Sequence, residues 1–128
     1  MTSMGNIKNK ILLTIMLSIM LLAGCTEKEY IEIDVAPQLE ITVKDLSDNN
    51  IAGATIKLYN SEEDFDLKEN EVQTKTTDDS GKALFKDLSE DIYYFYAEKG
   101  ELNNYYEVVT FAKPLRKNEI KTITCIIR

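Results

Sequence analysis

Leu39 to Tyr59 reads LEITVKDLSDNNIAGATIKLY, and the alternation within it decides the secondary structure of the chain. Leu39, Ile41 and Val43 alternate with Glu40, Thr42 and Lys44, the period of a strand with one buried face. Asp48-Asn49-Asn50 follows, and Asn and Asp tolerate the left-handed backbone of a tight turn. Ala54, Ile56 and Leu58 then alternate with Thr55, Lys57 and Tyr59 as the chain returns. The same grammar continues downstream. Ser61 to Asn70 (SEEDFDLKEN) is an acidic excursion with room for one helical turn capped by Ser61. Val72, Thr74 and Thr76 resume period two, Asp78-Asp79-Ser80-Gly81 turns, and Ala83-Leu84-Phe85 returns. Leu88 precedes Ile92 to Lys99 (IYYFYAEK), rich in the aromatics that favour strands. Gly100 to Asn104 turns, Tyr105 to Phe111 returns, Lys113 to Asn118 turns around Pro114, and Ile120 to Ile127 closes the domain. About seven short strands with no amphipathic helix predict an all-β fold, a single β-sandwich over residues 38–128.

Three of these segments carry a longer pattern. Asp45 followed by Asn50-Ile51-Ala52-Gly53-Ala54-Thr55-Ile56 opens it, and Thr76-Thr77-Asp78-Asp79-Ser80-Gly81-Lys82-Ala83-Leu84-Phe85 continues it. Leu88 to Tyr93 completes it. Together they resemble the "G-x-P-x-x-G-A-x-V", "T-x-x-D-x-x-G-x-x-x-F" and "L-x-x-G-x-Y" segments of carboxypeptidase regulatory-like domains. Asn50 and Asp91 stand where that pattern has Gly, and Ile51 stands near its Pro. The resemblance covers Leu39 to about Lys99. It implies the seven-stranded, prealbumin-like (Ig-like) sandwich shared with transthyretin and with B-type domains of bacterial adhesins and pilins. Gly53 and Gly81 fall where tight turns want positive φ, as that fold requires. Some pilin and adhesin relatives carry an internal Lys–Asn amide bond promoted by an acidic residue. Lys44 and Glu98 occupy plausible positions for the Lys and the promoter, but Ile120 to Arg128 offers no Asn or Asp to accept the bond. Both are therefore expected to be solvated outer-face charges.

Upstream of the sandwich the composition changes. Lys8 and Lys10 lie in a positive start, Ile11 to Leu22 (ILLTIMLSIMLL) is apolar apart from Thr14 and Ser18, and Glu27 is the first acidic residue. That order is the pattern of a secretory signal, and the apolar run falls short of the roughly 20 residues a spanning helix needs. Leu22-Ala23-Gly24-Cys25 resembles the lipobox of bacterial lipoproteins. The resemblance implies a cleaved signal peptide over 1–24, a lipidated Cys25 with its tether over 25–37, and then the domain. Diacylglycerol on the Cys25 sulfur and a further acyl chain such as palmitate on its amino group would hold the membrane durably, since a single chain does so only marginally. Thr26 stands where lipoproteins retained in the inner membrane carry Asp, which points to the outer membrane of a Gram-negative envelope. Which side of that membrane the domain faces is left open.

Composition narrows the chemistry. The 128 residues include no His, no Trp and two Cys, with 15 Lys and Arg against 22 Asp and Glu, a formal net charge of −7. Without His, Ser-His-Asp and Cys-His catalysis and His-ligated zinc are excluded. Two Cys cannot build a four-thiolate metal site or a multi-bridge framework, and the acidity argues against nucleic acid. Glu62, Glu63, Asp64, Asp66, Glu69 and Glu71 cluster without the spacing or central Gly of a calcium loop, so no metal and no cofactor are expected. Cys125 alternates with Ile123 and Ile127 onto one strand face and reads as a buried small hydrophobe. Placing Tyr93, Phe95 and Ala97 inward turns Tyr94 and Tyr96 outward, with Tyr105 or Tyr106 on the neighbouring strand. Such tyrosines can stack on sugars or anchor a protein. The expected function is a non-enzymatic, lipid-anchored interaction module for a protein or glycan ligand. The alternative is a structural accessory of a periplasmic or outer-membrane assembly or transport complex.

Overall fold

The computed structural model describes residues 33–107 and 111–128; the leader 1–24, Cys25 and most of the 25–37 tether lie outside the described residues. Seven strands are found among them. They are β1 (Gln38–Lys44), β2 (Thr55–Tyr59), β3 (Gln73–Thr76), β4 (Lys82–Phe85), β5 (Tyr94–Lys99), β6 (Leu102–Asn103) and β7 (Ile120–Ile126), with one helix, α1 (Glu62–Leu67). They form a three-stranded sheet in the order β4-β1-β7 and a four-stranded sheet in the order β3-β2-β5-β6. β1 pairs antiparallel with β4 and parallel with β7, in register from Gln38 opposite Ile120 to Lys44 opposite Ile126. At one edge the two sheets are stitched together, because Asn103 and Arg128 exchange backbone hydrogen bonds.

The alternating residues fill the space between the sheets. Leu39, Ile41 and Val43 from β1 meet Ile56 and Leu58 from β2, Phe95 and Ala97 from β5, and Phe85 from β4. Cys125 and Ile127 join them fully buried, as expected of Cys125. Burial pushes the Cys125 thiol up to about 12, the Glu107 charge adds to the rise, and a hydrogen bond with Asn104 opposes it.

The turn motifs explain themselves in hydrogen bonds. Thr77 is buried: its hydroxyl accepts from Ala54 N–H at 2.9 Å and donates to the Ile51 carbonyl at 2.7 Å. Its backbone carbonyl accepts from Gly53 N–H at 3.0 Å, and its N–H donates to the Ala54 carbonyl at 2.8 Å. One threonine thus locks the Gly53-Ala54 turn to the following hairpin. Asp78 Oδ1 accepts from the N–H groups of Ser80 and Lys82, and Asp45 Oδ1 does the same for Ser47 and Asn49. Those bonds, led by Asn49, hold the Asp45 carboxyl below its ordinary value. Gly81 has φ +75°, and a Cβ there would lie 2.9 Å from the Ile51 nitrogen and 3.0 Å from the Val43 oxygen. Asp91 and Asn50, which replace glycines of the family pattern, do not adopt positive φ. Lys44 binds Asp48 at 3.0 Å and is half-buried rather than a free outer-face charge.

One strand is misplaced by sequence reading. Among the described residues the sixth strand is Leu102–Asn103, inside the expected turn, and Tyr105 to Glu107 of the strand expected over Tyr105 to Phe111 form a turn instead. The reason is Asn104, which is 1% exposed. Its Oδ1 accepts from Ala97 N–H at 2.9 Å and its Nδ2 donates to the Phe95 carbonyl at 3.1 Å, so one side chain does the work of a further strand residue beside β5. The chain then turns, Glu107 N–H donating to the Asn104 carbonyl. Residues 108–110 lie outside the described set.

Candidate functional site

The outer face of the four-stranded sheet carries the tyrosines, and α1 is what shapes them. Ser61 caps this helix, its hydroxyl accepting from Asp64 N–H at 3.1 Å, and Glu62, Glu63 and Asp64 lie at the N-terminal end that favours negative charge. Lys68 closes the helix in the left-handed region at φ 55°. The only buried residue of α1 is Phe65, which is laid onto the sheet. Its ring meets Tyr59 edge-on at 5.9 Å and Tyr94 at 6.2 Å.

Tyr59 alternates outward from the main core, yet it is fully buried, with the Phe65 ring against it. Its hydroxyl is buried without a hydrogen-bond partner among the described residues. Burial, with the nearby Glu71 and Glu98 charges, raises its pKa above the ordinary value.

Lys68 is the centre of the cluster. Its ammonium donates to the Phe65 carbonyl at 2.8 Å and lies 4.1 Å from the Phe65 ring centre, 4.7 Å from that of Tyr96 and 5.1 Å from that of Tyr105. Three ring faces around one cation are an aromatic cage filled by the protein's own side chain. Burial lowers the Lys68 pKa against the opposing Asp66 charge, and burial followed by Glu98 raises that of Tyr96.

All four tyrosines singled out from the sequence belong to this one cluster, but unequally. Tyr94 and Tyr96 face outward and are half-buried under Phe65 and Lys68. Tyr105 and Tyr106 are 55% and 80% exposed and stack edge-on at 5.6 Å. Open ring surface therefore belongs chiefly to Tyr105 and Tyr106. Sequence reading missed Phe65 and Lys68. The Ser61 cap signalled the helix, and Phe65 is the one aromatic residue within it; nothing local paired it with β5. Cys25, the lipidation candidate, lies outside the described residues. Among the described residues no group of acidic or sulfur side chains is arranged to hold a metal ion. No described helix is long and apolar enough to cross a membrane.

Comparison with known proteins matches this architecture. A family model described as SpaA, prealbumin-like fold domain, matches residues 37–121. Among solved structures, the Bacillus anthracis TIE protein is 26% identical with a TM-score of 0.52, over 70% of this chain and 16% of its own. The major pilin subunit of Bacillus cereus is 15% identical with a TM-score of 0.48, over 73% of this chain and 30% of its own. The chain thus spans less than a third of either protein. No curated protein matches. Two packed sheets, a family match across most of the described residues and the Thr77–Gly81 hairpin make the assignment: this chain belongs to the SpaA family of prealbumin-like fold domains.

Proposed function

We propose that the chain is a non-catalytic interaction module of the cell envelope, held to the membrane by lipid on Cys25 and engaging a protein or glycan through Tyr105 and Tyr106. The observation that carries the binding reading is the Tyr105–Tyr106 pair, exposed yet backed by the Lys68 cage. Flat amphipathic rings held in place lose little conformational freedom when a ligand stacks on them. The anchor reading rests on Leu22-Ala23-Gly24-Cys25, and the outer membrane on Thr26. The absence of His from the whole chain favours a non-enzymatic role. Kinship to carboxypeptidase regulatory-like domains rests on the Thr76–Phe85 motif and is part of the same reading.

Two experiments test it. Cells fed labelled palmitate should label the wild-type chain and not the Cys25→Ser variant, and membrane fractionation should place the label in the outer membrane. Equal labelling of both chains would remove the anchor. A glycan array and envelope pull-downs should give ligands that Tyr105→Ala and Tyr106→Ala weaken at least about tenfold, as expected for a stacked aromatic anchor. Binding untouched by both changes would sink the tyrosine face and favour the structural-accessory role.

A further inference from the structure

The loop between Phe111 and β7 has a charge opposite to that of the molecule. It encloses a cleft of about 310 Å³ with Lys113, Arg116 and Lys121 on its walls and Phe111 and Leu115 beneath them. Both apolar residues are buried, 8% and 5% exposed, and the three cations are exposed. No ion pair to any of the three is made among the described residues, whereas the neighbouring Lys117 sits 3.8 Å from both Asp34 and Glu90. In a chain of net charge −7, three cations lining one cleft concentrate positive charge against the balance of the molecule. The one acid on the cleft, Glu119, offsets only part of them.

The cleft is also held in shape. Leu115 N–H donates to the Asp91 carbonyl at 3.0 Å. Asn118, at φ 61°, closes the loop: its N–H donates to the Val35 carbonyl at 2.8 Å and its Oδ1 accepts from Val35 N–H at 2.8 Å. Lys121 comes from β7, whose register against β1 is fixed. A preformed cleft with cations on its walls and apolar side chains beneath suits an anion carrying several acceptor oxygens on an organic body.

We infer that this cleft binds a phosphodiester, with Arg116 as the bidentate contact, Lys113 and Lys121 as flanking charges, and Phe111 and Leu115 under the ester's carbon groups. The diester can belong to a phospholipid headgroup or to a soluble glycerol-phosphate polymer. The inference stands on the cleft alone and does not require the tyrosine face.

Calorimetric titration of the full chain with glycerophosphoglycerol tests it, beside flotation with phosphatidylglycerol and phosphatidylcholine vesicles. The diester should bind, more weakly as salt rises, and Arg116→Ala or Lys121→Ala should each weaken it at least about tenfold. Arg116→Lys, which keeps the charge and loses the fork, should fall between. Lys75→Ala on β3 and Tyr105→Ala should leave it unchanged, and unaltered thermal melts will show that the cleft variants fold. A preference for phosphatidylglycerol vesicles that vanishes in the same variants identifies the headgroup as the source; diester binding without that preference rules out the headgroup and leaves a soluble diester as the source. Absence of binding to both probes, or binding indifferent to Arg116 and Lys121, overturns the inference.

Discussion

Thr77 and Gly81 show how two small residues set a fold. The Thr77 hydroxyl satisfies a buried N–H and a carbonyl of the preceding turn at once. Thr77→Val keeps the shape and removes both bonds, so chemical denaturation should show a loss of about 2 kcal/mol. Gly81→Ala meets backbone atoms of two other segments as well as its own positive φ, and should cost roughly 2–3 kcal/mol. Cys125 makes a pH prediction. Its thiol ionises near 9.0 in the unfolded chain and near 12 when buried, so between those values the folded state holds the extra proton. Stability from this residue is intact below pH 9 and is lost as pH rises toward 12. Urea midpoints of wild type and Cys125→Ala, followed from neutral to alkaline pH, should therefore converge as pH rises. A constant gap would remove the linkage.

At the scale of elements, α1 behaves as a small lid that gives the outer sheet face a second core. Phe65→Ala should cost about 3 kcal/mol, the usual loss for a buried aromatic, and should expose Tyr59 to solvent perturbation in tyrosine difference spectra. Tyr59→Phe removes a buried hydroxyl with no partner among the described residues and should be neutral or stabilising by up to about 1 kcal/mol; a marked loss would reveal a partner for that hydroxyl. This element also marks the limit of legibility. Strand alternation and turn residues are local signals, and β1 to β5, β7 and the Ser61 cap follow them. Asn104 substitutes for a strand through contacts to β5, which spacing along the chain does not encode. The tyrosines were legible as outward by parity, but their cover by Phe65 and Lys68 depends on where the helix lands.

Across the whole molecule, β1 and β7 are direct parallel neighbours joined over seven residue pairs, from Gln38–Ile120 to Lys44–Ile126. The chain comes into β1 at one end of this pair and leaves β7 at the other. Tension applied through those two ends therefore runs along the strands and loads the rungs of the ladder together, in shear. A hairpin pulled at its open end gives way one rung at a time; this arrangement must yield its rungs at once. Stretched between a point before Gln38 and one after Ile126, the domain would meet the pull with this ladder loaded in shear. Single-molecule pulling through those ends should need markedly higher force than pulling through positions flanking the β3–β4 turn.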